Sequence, residues 1–312
     1  MHKGKILFID TTHQELVERL EKQGFICDYF ADYQRNDFIQ IAHNYVGIVV
    51  RSKIKLDADF LNSCKNLKFI VRVGAGMENI DVDFADKNDI VCINAPEGNR
   101  DAVGEQAIGM ILTLFNNLIT ADSEVRDGIW IREGNRGYEL GGRTVGIIGY
   151  GNTGSAFAKK LKGFDVEVIA YDKYKHNFSD DYVKESTMDK LFEKSDIVSL
   201  HVPLTVETTY LVNTDFINKF EKDIYLINTS RGKVLRTSDL VNCLKLGKVS
   251  GACLDVLEYE GLSFENVVLP EEFIELIAMK NVVLSPHIAG WTHESNYKMA
   301  VTIADKIEAL SL

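Results

Sequence analysis

Four groups of side chains in this 312-residue chain stand in patterns that chemistry can use. The first is 144-TVGIIGYGNTGSAFAKKL-161, where Gly149, Gly151 and Gly154 form GxGxxG directly after an apolar run and directly before a helical pattern. In that setting the first glycine permits a tight turn, the second lets backbone approach a pyrophosphate, and the third allows close helix–strand packing. The phosphates would lie over the N-terminal amides of a helix starting near Asn152 and Thr153. The next apolar run, VEVIAYD, ends in Asp172, about 20 residues on, the spacing of a ribose-binding acid. Such a carboxylate accepts from the adenosine ribose hydroxyls and repels a 2′-phosphate, which predicts NAD over NADP. Lys173 and Lys175 follow closely and pull the other way.

The next two groups lie at the ends of later apolar runs. Arg231 follows the strand-like start of 223-DIYLINTSRGKV-234, and Asp255, Glu258 and Glu260 crowd the end of 250-SGACLDVLEYEG-261. His287 stands after Pro286 in 281-NVVLSPHIAGWT-292. Ligands of open α/β sheets bind at the carboxyl ends of strands, which is where these residues fall. Taken singly, each has a structural reading: a surface arginine, a solvated acidic loop, a helix-entry histidine. Taken together beside a nucleotide motif, they make a carboxylate clamp, an acid and a proton donor. The fourth group is Arg51, which ends VGIVV, and Arg72, two residues before the turn GAG. In parallel order these strand ends can be neighbours, and guanidinium forks match phosphate oxygens. The structural alternative pairs them with nearby acids such as Asp57 or Asp81.

Elements that could position these groups alternate along nearly the whole chain. KILFID, FICDYF, VGIVV, LKFIVRV and IVCIN alternate with amphipathic stretches in the first third. TVGIIGYG, VEVIAYD, DIVSLHV, DIYLINTS, GACLDV and NVVLS continue after residue 143. Strands this apolar, separated by helices, are parallel strands buried on both faces. The expected architecture is α/β, with two doubly wound sheets. Between the halves, 102-AVGEQAIGMILTLFNNLI-119 is apolar over too broad a face for a surface helix. It is expected to be an interdomain helix, followed by an extended arm over VRDGIWIREGNRGYEL. A dimer contact and an interdomain core explain these two segments equally well. A last helix is expected over THESNYKMAVTIADKIEAL, with no regulatory domain after it.

Length suits two domains of about 150 residues. With 46% hydrophobic and 26% charged residues and 4 prolines, the composition excludes disordered and fibrous classes. Apolar stretches such as 107-AIGMILTLF-115 fall short of the roughly 20 residues of a membrane helix. MHKGKILFID is not a secretory signal, so a cytoplasmic protein with no membrane partner is expected. Cys27, Cys64, Cys92, Cys243 and Cys253 are odd in number, lie in apolar runs and form no CxxC pair. They are expected to be reduced thiols, with neither a disulfide framework nor a metal site. A formal net charge of −11 argues against a nucleic-acid partner. It leaves room for a small anionic substrate, because a few local arginines override a distant charge.

GYGNTG…YD, HVPLT, LINTSRGKV, ACLDVLEYEG and SPHIAGWT, in that order, resemble the D-isomer-specific 2-hydroxyacid dehydrogenase family. The resemblance runs from about residue 46 to the end of the chain. The early segments VVRS, RVGAGMENID and NAPEGNRDAVGEQAIGMI are most similar to the branch that oxidises D-3-phosphoglycerate. It implies two Rossmann-like domains, the cofactor domain (98–284) inserted in a substrate domain (1–97 and 285–312), with the active site between them. It also implies homodimers joined through the cofactor domain. The family's catalytic arginine, glutamate and histidine fall on Arg231, Glu260 and His287. Its nicotinamide-carboxamide aspartate falls on Asp255, and its adenine-side strand end on His201, Val202 and Pro203. Thr229, Ser230 and Gly290 complete the implied cofactor set. Arg51 and Arg72, with the turn Gly74, Ala75 and Gly76, form the implied substrate set. On this assignment His287 exchanges the hydroxyl proton, Glu260 orients the imidazole and Arg231 forks the α-carboxylate. Glu258 is left as a loop charge, His201 as a cofactor-side neighbour and His293 as a helix-start surface residue. Two departures bear on the substrate: Gly261 replaces the family's usual proline and Trp291 a small residue. The implied reaction is NAD-dependent oxidation of 3-phosphoglycerate at the entry to serine biosynthesis. The competing readings are a glyoxylate or hydroxypyruvate reductase and a non-catalytic NAD-sensing protein.

Overall fold

The computed structural model describes residues 2–261 and 270–310. These divide into two compact units: residues within Met1–Asn99 and Trp291–Leu312, and residues within Arg100–Gly261 and Asn266–Gly290. The first unit is thus built from both ends of the chain.

The first unit runs β1 (Gly4–Phe8), α1 (Gln14–Lys22), β2 (Phe25–Tyr29), α2 (Arg35–Ile41), β3 (Gly47–Val50), α3 (Ala58–Asn62), β4 (Phe69–Arg72), α4 (Val82–Lys87) and β5 (Val91–Ile93). Its strands form one parallel sheet in the order β2-β1-β3-β4-β5. β3 is buried along its whole length, as a strand with helices on both faces must be. Leu7, Ile48 and Ile70 pack into one apolar cluster, and Ile6, Val49 and Val71 into another. That split is the period-2 alternation of side chains across a strand. α3 and α4 start where an aspartate caps them: Asp57 accepts from Phe60 N and Asp81 from Phe84 N. These caps satisfy amides that have no partner within the helix.

α5 (Pro96–Phe115) and α6 (Leu118–Arg126) follow. The expected single helix over 102–119 is corrected here at both ends. It begins six residues earlier because Pro96 sits at its first position, where a missing N–H costs nothing. It breaks at Asn117, whose left-handed φ of 50° turns the chain so that α6 departs at 61°. Asn tolerates that conformation better than most side chains. α6 also takes the first two residues of the expected arm, and the rest carries only a short 3-10 turn at Glu133–Asn135. Among the described residues no single helix is long and apolar enough to cross a membrane.

The second unit continues with β6 (Thr144–Ile148), α7 (Asn152–Lys160), β7 (Glu167–Tyr171), β8 (Val183–Glu185), α8 (Met188–Lys194), β9 (Ile197–Leu200), α9 (Thr214–Ile217), β10 (Ile224–Asn228), α10 (Thr237–Lys245), β11 (Val249–Leu254), α11 (Glu271–Ile277) and β12 (Val282–Leu284). The parallel sheet has the order β12-β11-β10-β9-β6-β7-β8. β6 and β9 are neighbours, so the order reverses beside the glycine motif, the switch point where such sheets bind nucleotides. β8, a short edge strand, is absent from the sequence reading. α12 (His293–Ala309) returns to the first unit. It buries Met299, Ala300, Ile303, Ala304 and Ile307 there, and His293 is exposed at its start, as expected.

Candidate active site

The glycine turn joins β6 to α7. Gly149 has φ +91°, and a Cβ on it would come within 2.3 Å of His201 O. A Cβ on Gly154 would lie 2.1 Å from Gly149 O. Both glycines are therefore required by the protein's own packing. Gly151 differs: a Cβ there would meet nothing within 4 Å. The space beside it is open, and no side chain caps α7, so its first amides are left for a ligand such as a pyrophosphate. A second sign of a bound group is Thr229, whose buried Oγ1 has no hydrogen-bond partner. Buried hydroxyls are normally satisfied, and NAD would supply polar atoms there.

Asp172 directly follows β7 and opens the loop after it. Its Oδ2 accepts from Tyr150 N (2.7 Å) and its Oδ1 from Tyr174 N and Lys175 N (2.9 Å each). Burial pushes this carboxyl up, but the three amides and the Lys175 charge outweigh it and hold it below the usual carboxylate range. The flanking lysines are engaged: Lys173 pairs with Glu207 at 2.7 Å, and Lys175 donates to Tyr150 O at 3.2 Å. His201 bridges Ser199 Oγ (2.8 Å) and Thr153 Oγ1 (3.2 Å), and burial pushes its imidazole down to about 3. It is a neutral hydrogen-bonding strut, followed directly by Val202 and Pro203.

Arg231 is presented by a turn that Asn228 organises. Asn228 Oδ1 accepts from Ser230 N and Ser230 Oγ, while its Nδ2 donates to Arg231 O at 3.0 Å. Asn228 is fully buried, and Arg231 Nη1 donates to Ser230 O. The LINTSRG spacing held the signal for this asparagine, which the sequence reading did not single out.

His287 adopts φ +57°, left-handed and uncommon for a side chain of this size. Such strain persists only where neighbours over-determine it, and here they do. His287 N donates to Asp255 O at 2.7 Å. The Asp255 carboxylate, 1% exposed, accepts from Ser285 Oγ (2.6 Å), Ile288 N (2.9 Å) and Ala289 N (2.8 Å). Residues 285–290, with Gly290 at their end, are thereby tied to β11. His287 Nδ1 lies 2.7 Å from Glu260 Oε2, and Glu260 Oε1 accepts from Leu257 N. A carboxylate facing Nδ1 favours the imidazole tautomer that carries its proton on that nitrogen. Glu258 is more than the expected loop charge. Its Oε2 accepts from Thr237 N at 2.9 Å, the first residue of α10.

The first unit holds the arginines. β3 and β4 are adjacent, with Val50 opposite Arg72, so Arg51 and Arg72 occupy neighbouring strand ends. Asp57 is occupied by Arg35 and by its helix cap, and Asp81 by its cap, so the suggested pairings with Arg51 and Arg72 do not form. Arg72 folds over the following turn, and a Cβ on Gly74 (φ +151°) would lie 1.4 Å from its Nη1. Asn94 Nδ2 holds Ala75 O at 2.7 Å beside Gly76. Asp10 Oδ2 gathers the amides of Arg51 (2.6 Å), Ser52 (3.1 Å) and Lys53 (3.3 Å). Asp10 thus shapes the backbone that carries Arg51, a role that sequence spacing did not mark.

Comparison with known proteins agrees with this geometry. Residues 108–289 match the family model of the D-isomer specific 2-hydroxyacid dehydrogenase NAD binding domain. D-3-phosphoglycerate dehydrogenase of Archaeoglobus fulgidus is 35% identical over 305 residues, 97% of this chain but only 56% of that protein's length. Hydroxypyruvate reductase of Thermotoga maritima is 35% identical over 276 residues, 88% of this chain and 87% of the relative. Among solved structures, D-lactate dehydrogenase from Aquifex aeolicus, complexed with NAD and lactic acid, superposes with a TM-score of 0.81 at 27% identity. That match covers 98% of this chain and 95% of the other. A sheet that reverses at a glycine turn, an aspartate after the second strand and a matched NAD-binding domain lead to one assignment: the chain belongs to the D-isomer-specific 2-hydroxyacid dehydrogenase family.

Proposed function

We propose that the protein interconverts D-3-phosphoglycerate and 3-phosphohydroxypyruvate with NAD, in the cytoplasm, at the entry to serine biosynthesis. The supporting observation is the pair of arginines at adjacent strand ends, with the nearby acids Asp57 and Asp81 engaged elsewhere. Among the described residues, the Arg51 side chain makes no hydrogen bond or ion pair, which suits a receptor for a phosphate dianion. The free thiols, with burial pushing Cys64 and Cys92 up to about 11, suit a reducing compartment.

NAD, when bound, supplies the hydride acceptor at its nicotinamide. Arg231 forks the α-carboxylate and polarises the 2-oxygen. His287 Nε2 takes the hydroxyl proton on oxidation and returns it on reduction, while Glu260 keeps the ring oriented through Nδ1. Asp255 uses three acceptor sites to hold the His287 loop. A carboxylate offers about four, so one remains for the nicotinamide carboxamide. Thr229, Ser230 and Gly290 complete the cofactor contacts, and Arg72 with the turn 74–76 serves the phosphate. Self-association is assigned to the exposed Leu118, Ile119, Ile131 and Trp130, the last 78% exposed.

The second reading is a hydroxypyruvate or glyoxylate reductase. It is favoured by likeness, because the Thermotoga hydroxypyruvate reductase is 35% identical to this chain, the same figure as the Archaeoglobus dehydrogenase. Kinetics of Arg72→Ala separate the two. Loss of a charge-assisted hydrogen bond of about 1.5–3 kcal/mol lowers kcat/KM for phosphorylated substrates by roughly 10- to 150-fold. Plain hydroxypyruvate and glyoxylate lose far less. A wild-type enzyme indifferent to the phosphate promotes the reductase reading.

A further inference from the structure

Trp291, one of the two departures from the family pattern, lies against Arg51. The Arg51 guanidinium carbon sits 4.6 Å from the centre of the Trp291 ring. Both partners are carried by rigid parts of the first unit. Asp10 clamps the backbone at Arg51, and Asn79 Nδ2 approaches Arg51 O at 3.4 Å. Trp291 directly precedes Thr292, which caps α12 in a reciprocal box with Ser295, and α12 is anchored by its buried apolar face. A guanidinium carries its donors in its plane and none on its faces. Stacking on an indole therefore occupies a face and leaves the edges available to an anion.

We propose that Trp291 is a positioning residue: its ring holds Arg51 in place as the receptor for a phosphate monoester on the substrate's distal end. The proposal rests on the assignment of Arg51 to that phosphate. An untethered arginine must lose its rotamer freedom on binding, whereas one already stacked has lost much of it beforehand. The ring acts through Arg51, so it affects recognition of the phosphate and leaves the proton and hydride chemistry alone. Trp291 is 52% exposed, so replacing it leaves the core of the unit intact.

The test is steady-state kinetics with D-3-phosphoglycerate and with unphosphorylated D-glycerate, on wild type, Trp291→Leu, Trp291→Phe, Arg51→Ala and the Trp291→Leu/Arg51→Ala double variant. Trp291→Leu, bulky but without a π face, should raise KM for 3-phosphoglycerate by about 2- to 30-fold, the range of a cation–π contact. Its kcat, and its KM for glycerate, should stay within about twofold of wild type, the pattern of lost uniform binding. Trp291→Phe should recover most of the loss. On the Arg51→Ala background, Trp291→Leu should cost nothing more, because the interaction it removes is already gone. Suppose wild type prefers the phosphorylated acid and Arg51→Ala abolishes that preference. Then a silent Trp291→Leu, equal losses on both substrates, or additive losses in the double variant would overturn the positioning role and leave the substrate assignment standing. A wild type indifferent to the phosphate would overturn both.

Discussion

The glycine turn permits a prediction that separates what the fold needs from what the cofactor needs. Gly151→Ala adds a methyl group into open space, with no protein atom within 4 Å, at a residue whose φ of −83° is negative. Folding should be nearly unaffected, and the melting temperature should stay within about 2 °C of wild type. The same methyl blocks the approach of a pyrophosphate to the amides at the start of α7. One or two charge-assisted hydrogen bonds are then weakened, at about 1.5–3 kcal/mol each, so the Kd for NAD should rise by roughly 10- to 150-fold or more. Gly154→Ala is the control. Its Cβ would lie 2.1 Å from Gly149 O, a backbone atom that cannot swing aside. Overpacking of this kind costs about 1–3 kcal/mol. In a unit of this size that corresponds to roughly 2–12 °C of melting temperature. Titration calorimetry with NAD and a thermal melt of each variant read both quantities directly. Wild-type NAD affinity in Gly151→Ala would refute the reasoning, as would a loss of melting temperature equal to that of Gly154→Ala.

His287→Ala should leave NAD affinity nearly intact while lowering kcat by on the order of 10² or more, and Glu260→Gln should lower it less; near-wild-type turnover would remove the histidine from the mechanism. Asp172→Ala should raise KM for NAD and narrow its advantage over NADP. The same variant should melt lower at neutral pH, because three loop amides lose their acceptor. Since Asp172 is held below its ordinary value of 3.8, its stabilising effect is present above that pH and is lost as pH falls through the folded value. The melting gap between wild type and variant should therefore close only under strongly acid conditions. Ile119→Glu tests the proposed self-association through the exposed Leu118–Ile119 face: light scattering should give a smaller mass than wild type, and an unchanged mass would exclude that face.

Much of this architecture was legible because it rests on local patterns. Mostly apolar runs such as TVGII and DIVSL become buried parallel strands because they offer no polar face for an amphipathic helix. GxGxxG announces its own turn through the backbone freedom of glycine. The placement of Arg231 and His287 just after β10 and β12 was likewise readable, because both follow apolar strand patterns. The pairing of charges was not readable. Asp57 and Asp81 looked like partners for Arg51 and Arg72, yet both became helix caps, and Glu258 capped α10 as well. A carboxylate goes to whichever donor the packing leaves unsatisfied, and sequence distance says little about that. Arg51 and Trp291 are 240 positions apart, and only the docking of α12 on the first sheet brings them together. The break at Asn117 needed the same global information. Local propensity permits the helix over 102–119 to continue, whereas in the fold it ends at Phe115, which packs edge-on against Tyr225 of β10. The sequence by itself thus determined the strands, the turn chemistry and the residue types available at the site. Tertiary structure decided which groups are consumed in holding the frame and which remain for a ligand, because burial and unmet hydrogen bonds exist only once distant segments have met.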